Sequence, residues 1–222
     1  MFHWLEKNPF FFAVFVFVTI AFAGLVEILP NFAQAARPIV GLKPFSVLEL
    51  AGKNIYLKEN CNACHSQLIR PFKSETDRYG HFSLSGEFAY DRPFVWGSKR
   101  TGPDLKRINR STDWHESHMK DPQGTVKDSI MPPYPWLFKK VADIDTAYAE
   151  ALTVNALFNT PYNNAEFGDV KLPANKDAAN ALALTEAKVI GEDIKDPVVK
   201  EALNQGKIPE IVALIAYLNT RK

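Results

Sequence analysis

Hydrophobic and polar positions along the chain fall into three regimes. After Asn8 and Pro9, residues 10–26 read FFFAVFVFVTIAFAGLV, with no charge and Thr19 as the single polar side chain before Glu27. A helix from Pro9 to Pro30 is about 33 Å long at the usual rise per residue, which matches the hydrocarbon core of a bilayer. Residues 31–44, NFAQAARPIVGLKP, lose all helical period and carry proline and glycine interruptions, so they read as a linker. From Phe45 a globular pattern begins, with Val47, Leu48, Ala51, Ile55 and Tyr56 near helical spacing, predicting a helix that runs into residues 58–70.

Residues 71–103 mix Pro71, Gly80, Gly86, Pro93, Gly97 and Pro103 with aromatic side chains, predicting a long structured loop with room for one short hairpin. Residues 113–120, DWHESHMK, predict a short helix closed by Pro122, and the three prolines of SIMPPYPWL, residues 129–137, exclude a helix or a central strand. Amphipathic helical stretches follow at residues 141–159 and 179–194, and IPEIVALIAYLNT, residues 208–220, predicts a strong final helix with Pro209 in its first turn. Nothing reads as an open β-sheet, so the fold class is mainly α. The division is an anchor over residues 1–30, a linker over 31–44 and a domain over 45–222.

Composition narrows the partners. A chain of 222 residues with 46% hydrophobic content fills one core, and 26 basic against 25 acidic residues give a net charge of +1, so no nucleic acid is expected as a partner. Ala33, Gln34 and Ala35 resemble a signal-peptide cleavage site, but the apolar run exceeds the usual signal core of about 7–15 residues. A retained single-pass anchor in membrane lipid is the favoured reading. Lys7 on the short flank favours a cytoplasmic N-terminus, which in a bacterium puts everything after Pro30 in the periplasm.

Both cysteines of the chain lie in KENCNACHSQLIR, residues 58–70, where Cys61, Cys64 and His65 spell C-x-x-C-H. A structural zinc site needs four ligands, and only His3, His81, His115 and His118 remain to complete one. A thioredoxin-like dithiol belongs after a strand, whereas a helix precedes this pair. A disulfide leaves His65 idle. One covalent c-type haem uses all three residues: two thioether bonds to one macrocycle need sulfurs about one turn apart, and the next residue then supplies the proximal iron ligand.

A six-coordinate haem also needs a distal ligand. Met131 precedes Pro132 and Pro133, which hold a loop rigidly, and this favours it over Met119, His81, His115 and His118, which remain alternatives. The proximal imidazole needs an acceptor for its other N–H. A backbone carbonyl within GPDL, Gly102 to Leu105, is the candidate, since Gly102 permits close backbone approach and Pro103 lacks an amide hydrogen; an ordinary turn is the alternative.

In this order, CNACHSQLIR, WGSKRTGPDL, WHESHM and MPPYPWL make the chain resemble subunit II of cbb3-type cytochrome c oxidases, the membrane-anchored mono-haem cytochrome c subunit, over about residues 1–137. The resemblance implies a cytochrome c-like haem domain with inserted loops and extra helices on one transmembrane helix. It places Cys61 and Cys64 at the attachment sites, His65 and Met131 as the axial pair, and the carbonyl of Pro103 as acceptor from His65. Gly102 and Leu105 flank that carbonyl. Tyr134 and Trp136 match aromatic residues that wall the haem from water, and Ser98 and Arg100 are candidates to face haem propionates or a partner. The implied role is one-electron relay, not catalysis by this chain itself. A further cytochrome c subunit or a soluble cytochrome c would donate, and the oxygen-reducing haem-copper subunit would accept. The cytochrome c subunit of nitric oxide reductase and a haem sensor or enzyme with an open distal site are the alternatives.

Overall fold

A computed structural model describes residues 2–33, 37–97 and 99–221. It divides into two units, the first ending at Arg37 and the second beginning at Pro38. The first unit holds α1, Phe2–Lys7, and α2, Pro9–Ala33. The Asn8 side chain bridges them by donating to the Trp4 carbonyl at 2.7 Å. Thr19 donates its hydroxyl to the Phe15 carbonyl at 2.8 Å, so the one polar side chain of the apolar run is satisfied within its own helix. Phe10, Phe17, Ile20 and Phe22 are all exposed, and Pro9–Pro30 has the length and composition of a membrane span.

The second unit opens on α3, Val47–Lys58, whose start is closed by a capping box between Ser46 and Glu49. Glu59 and a left-handed Asn60 end it, and one 3-10 turn, Cys61–Ala63, follows. Where the sequence suggested a loop with a short hairpin, the chain forms α4, Lys73–Tyr79, and a 3-10 turn, Ser85–Phe88. No strand occurs among the described residues, and the hairpin expectation is corrected; only an isolated bridge joins Val141 to Pro209. Next comes α5, Thr112–Lys120. The proline expected to close it does so while opening α6, Pro122–Thr125, with Asp121 as its cap.

The tail contains α7, Ile144–Phe158, α8, Lys176–Glu192, α9, Pro197–Asn204, and α10, Glu210–Asn219. Asp143, Asn175 and Asp196 cap the first three by accepting backbone N–H groups of the first turn. Pro209 stands at the N-cap of α10, one position ahead of the first turn where it was expected.

The core is built on the crossing of α3 and α10. Residues 211–218 of α10 are buried on every side. A Cβ at Gly52 would collide with the Ala213 carbonyl and stand 2.8 Å from the Tyr217 Cβ, so glycine is what lets the two backbones meet. Helix α8 offers a stripe of small buried residues, Ala179, Ala183, Ala187 and Gly191, and α7 buries Ala147 and Ala151. Both pack against α3, and α8 also meets α10. The tail helices therefore form the outer wall of the core whose inner pair carries the cysteine segment.

The close crossing generates a stability prediction. Gly52→Ala overpacks the contact and lowers the unfolding free energy by about 1–3 kcal/mol. It is read as a lower denaturant midpoint followed by far-ultraviolet circular dichroism, and an unchanged midpoint contradicts the crossing.

Candidate haem site

The 3-10 turn after α3 brings the cysteines and His65 into one short arc, with the His65 amide donating to the Cys61 carbonyl at 2.9 Å. Neither cysteine is bridged; Cys64 is exposed and Cys61 half-buried. Burial pushes the Cys61 thiol up to about 12, and Glu59 adds to the effect, so this sulfur is a neutral thiol at physiological pH.

The His65 Nδ1 lies 2.8 Å from the Pro103 carbonyl oxygen. A carbonyl only accepts, so this bond assigns the proton to Nδ1 and leaves the Nε2 lone pair for a metal. Burial lowers the pKa of the imidazole, against the pull of the Pro103 carbonyl and the Asp104 carboxylate, and favours the neutral ligand form. The Tyr56 hydroxyl donates to the His65 carbonyl at 3.2 Å, anchoring the same residue to α3.

Residues 96–97 and 99–105 form the second wall, knit to the cysteine segment by backbone bonds. Gly102 donates to Cys64 at 2.9 Å, Leu105 to Ser66 at 2.8 Å, and Gln67 to Trp96 at 2.8 Å. A Cβ at Gly102 would lie 2.7 Å from Nδ1 and 2.8 Å from Nε2 of His65, so the ring occupies the space that a side chain would take. Gly97 adopts a φ of +73° with a Cβ position 2.9 Å from the Ser66 Cα, which also requires glycine. Leu105 is buried in the core.

Four residues that the sequence reading did not single out complete this wall. Ser66 donates to Asp104 at 2.6 Å, the Asp104 carboxylate also accepts from the Leu68 amide at 2.9 Å, and Tyr217 of α10 donates to the Gln67 side-chain oxygen at 2.8 Å. The available signal was position, Ser66 and Gln67 directly after the histidine and Asp104 inside GPDL, whereas Tyr217 carried none. Arg100, a candidate to face propionates or a partner, is turned into the chain: its guanidinium reaches Glu75 at 2.7 Å, the Ser66 hydroxyl at 2.6 Å and the Leu68 carbonyl at 2.6 Å. Ser98 lies outside the described residues.

On the other side, Met131 is partly buried and packs on the core together with Tyr134 and Cys61. Burial raises the Tyr134 hydroxyl pKa, with Cys61 and Cys64 contributing. Tyr134 and Trp136 meet edge to face at 5.3 Å, and the Trp136 indole donates to Glu59 at 3.0 Å, tying MPPYPWL to the end of α3. Among the alternative ligands, Met119 is buried in the core and His81 bonds the Phe82 carbonyl at 2.7 Å. His115 is buried beside Trp114. His118 stacks on Trp114 at 4.5 Å and its Nδ1 is 2.6 Å from the Thr125 hydroxyl. Burial lowers the His118 pKa, and the charges of His65 and Arg110 lower it further.

This set fits a c-type haem: two unbridged thiols, an imidazole with one nitrogen held and one open, and a glycine cradle that a larger residue would fill. No group of three or more His, Cys, Asp or Glu side chains among the described residues is arranged to hold a metal ion, so a zinc site has no ligand set.

A family model described as cytochrome c oxidase, mono-heme subunit/FixO, matches residues 2–221. The chain belongs to that family. No curated protein sequence matches it. As a mono-haem subunit of a cytochrome c oxidase it carries one haem and acts within a membrane-bound complex, and the likeness to subunit II of cbb3-type oxidases extends through the tail helices, well beyond residue 137. The apolar α2 agrees with membrane anchoring.

Gly102 supplies the prediction here. Gly102→Ala forces the His65 ring away from Pro103 and destabilises the holoprotein by about 1–3 kcal/mol, read as a lower thermal midpoint of the haem absorption, whereas Thr101→Ala, at an exposed neighbour, leaves it unchanged. Equal midpoints for both variants contradict the cradle.

Proposed function

We propose that this chain is the one-electron relay of its oxidase, taking electrons from a cytochrome c and handing them to the oxygen-reducing catalytic subunit. The observation that carries the reading is the 2.8 Å contact from His65 Nδ1 to the Pro103 carbonyl beside two unbridged cysteines. In this reading α2 crosses the bacterial inner membrane once from a cytoplasmic N-terminus. Residues 31–44, of which the first three prolong α2, lead from the membrane, and the domain from residue 45 onward stands in the periplasm.

A haem bound here supplies reversible one-electron exchange at its iron. Cys61 and Cys64 would hold it by thioether bonds, keeping it in place through repeated turnover. His65 presents Nε2 while Pro103 retains the Nδ1 proton, fixing the ring's orientation and raising its basicity. Met131 would hold the iron from the other side through its sulfur, with Pro132 and Pro133 stiffening its loop. Tyr134 and Trp136 exclude water from the side of the thiols, lowering the local dielectric. Were His65 and Met131 both to hold the iron, no site would be left open to oxygen, nitric oxide or carbon monoxide, which would separate a relay from a sensor.

Met131→His tests this reading. A thioether stabilises the ferrous state relative to imidazole, so the variant keeps its covalent haem but titrates at a lower potential, axial ligand choice spanning roughly 0.8 V across haem proteins. A drop of about 0.1 V makes acceptance from the donor about 2.3 kcal/mol harder, and oxidase turnover with cytochrome c falls while the complex still assembles. Met119→Leu, a volume-conserving change in the core, leaves the potential and the methionine-to-iron absorption band of the oxidised protein unchanged. Loss of that band in Met119→Leu and its persistence in Met131→His reverse the ligand assignment, and a carbon monoxide-shifted spectrum of the wild type supports the sensor.

A further inference from the structure

Behind the Pro103 carbonyl lies a row of alternating charges that the relay reading leaves without a role. The Asp104 side chain is 0% exposed, yet it is a carboxylate held entirely by charge and hydrogen bonds. Its Oδ2 accepts from the Ser66 hydroxyl at 2.6 Å and the Leu68 amide at 2.9 Å, and its Oδ1 accepts from the Lys106 amide at 2.8 Å. Arg100 approaches Oδ2 at 3.5 Å and is itself 21% exposed. On its far side Arg100 meets Glu75 at 2.7 Å, and Glu75 in turn binds the Arg70 side chain and, at 2.7 Å, the Arg70 amide. The signs run negative, positive, negative, positive from the peptide of Pro103 outward to Arg70, whose side chain is 57% exposed.

A buried charge is a costly way to pin a loop, since taking a carboxylate out of water costs several kcal/mol even when it is paired. Three hydrogen bonds to neutral groups would hold the 66–68 and 103–106 backbones without it. What a carboxylate adds is a fixed negative charge one residue from the carbonyl that holds His65, in a region where low dielectric makes charge count. Net charge and hydrogen bonding around the ligands are among the levers by which a protein sets a haem potential. A negative charge near the iron favours the ferric state, and a positive charge that cancels it favours the ferrous state.

We propose that Asp104 is a positioning residue for His65 that also sets the haem's reduction potential by its charge, and that Arg100 and Glu75 tune how much of that charge the haem feels. The proposal rests on His65 being the proximal ligand. Arg100 acts against Asp104 by partial cancellation, and Glu75 acts against Arg100 by holding its guanidinium between two carboxylates. Three groups of the chain, Asp104, Arg100 and Glu75, therefore adjust the haem from one side without touching its iron.

The test is an equilibrium redox titration of the haem in the intact oxidase complex, comparing Asp104→Asn, Arg100→Gln and Glu75→Gln with the wild type. Asp104→Asn removes the near negative charge and raises the midpoint. Arg100→Gln leaves Asp104 uncancelled and lowers it. Glu75→Gln frees the Arg100 charge and raises it, by less than Asp104→Asn because it stands one ion pair further out. A network that merely pins the loop predicts shifts of one sign in all three, because each variant loosens the same hydrogen bond. Shifts of one sign, or no shift, overturn the proposal. Should Asp104→Asn fail to mature, the opposite signs of Arg100→Gln and Glu75→Gln decide the matter alone, and a common sign refutes it. An error in the assignment of His65 itself shows separately, as a wild-type complex whose haem spectrum is unaffected by His65→Ala.

Discussion

The bond from His65 Nδ1 to the Pro103 carbonyl is the constraint on which the rest of the domain depends. It needs two segments 38 residues apart to meet within hydrogen-bond reach, one fixed to the end of α3 and the other to a loop with no strand or helix of its own. The backbone bonds from Gly102 to Cys64, Leu105 to Ser66 and Gln67 to Trp96 do for this loop what a sheet ladder would do elsewhere. Gly97 and Gly102 make the approach possible by having no Cβ at the two closest points.

The same geometry explains why the core is built on α3 and α10. Helix α3 must hold Tyr56 still beneath the His65 carbonyl, and α10 must hold Tyr217 still against Gln67. Tyr56 and Tyr217 also touch, with ring centroids 5.5 Å apart, so both supports of the cysteine segment meet in the middle of the core. Gly52 sets the spacing of the pair, and the small faces of α7 and α8 let the outer helices close in. Packing in the tail is thereby linked to the site: loosening α8 loosens the pair that orients His65.

Much of this was legible in residue patterns. The apolar run before Glu27, the helix into Cys61 and the final helix after Pro209 each followed from length and period. A carbonyl of GPDL near His65 followed from what a ligating imidazole needs, and the family resemblance implied that it was that of Pro103. Helix α4 was not legible, because KSETDRY has no apolar period; Lys73–Asp77 and the ions around Glu75 hold it instead. Helix α9 was missed because only Val199 and Leu203 of its eight residues are buried. The inward turn of Arg100 was hidden for a similar reason: a lone arginine before a turn carries no mark of whether its partner is a propionate, another subunit, or a glutamate 25 residues earlier.

The central claim is that one haem is bound covalently through both cysteines, and peptide mapping by mass spectrometry of the denatured, protease-digested wild-type chain tests it most directly. The account predicts a single peptide containing Cys61, Cys64 and His65 that carries the added mass of one haem, with neither thiol open to alkylation before or after reduction. The same peptide at its unmodified mass, with both cysteines alkylated at once or only after disulfide reduction, contradicts it.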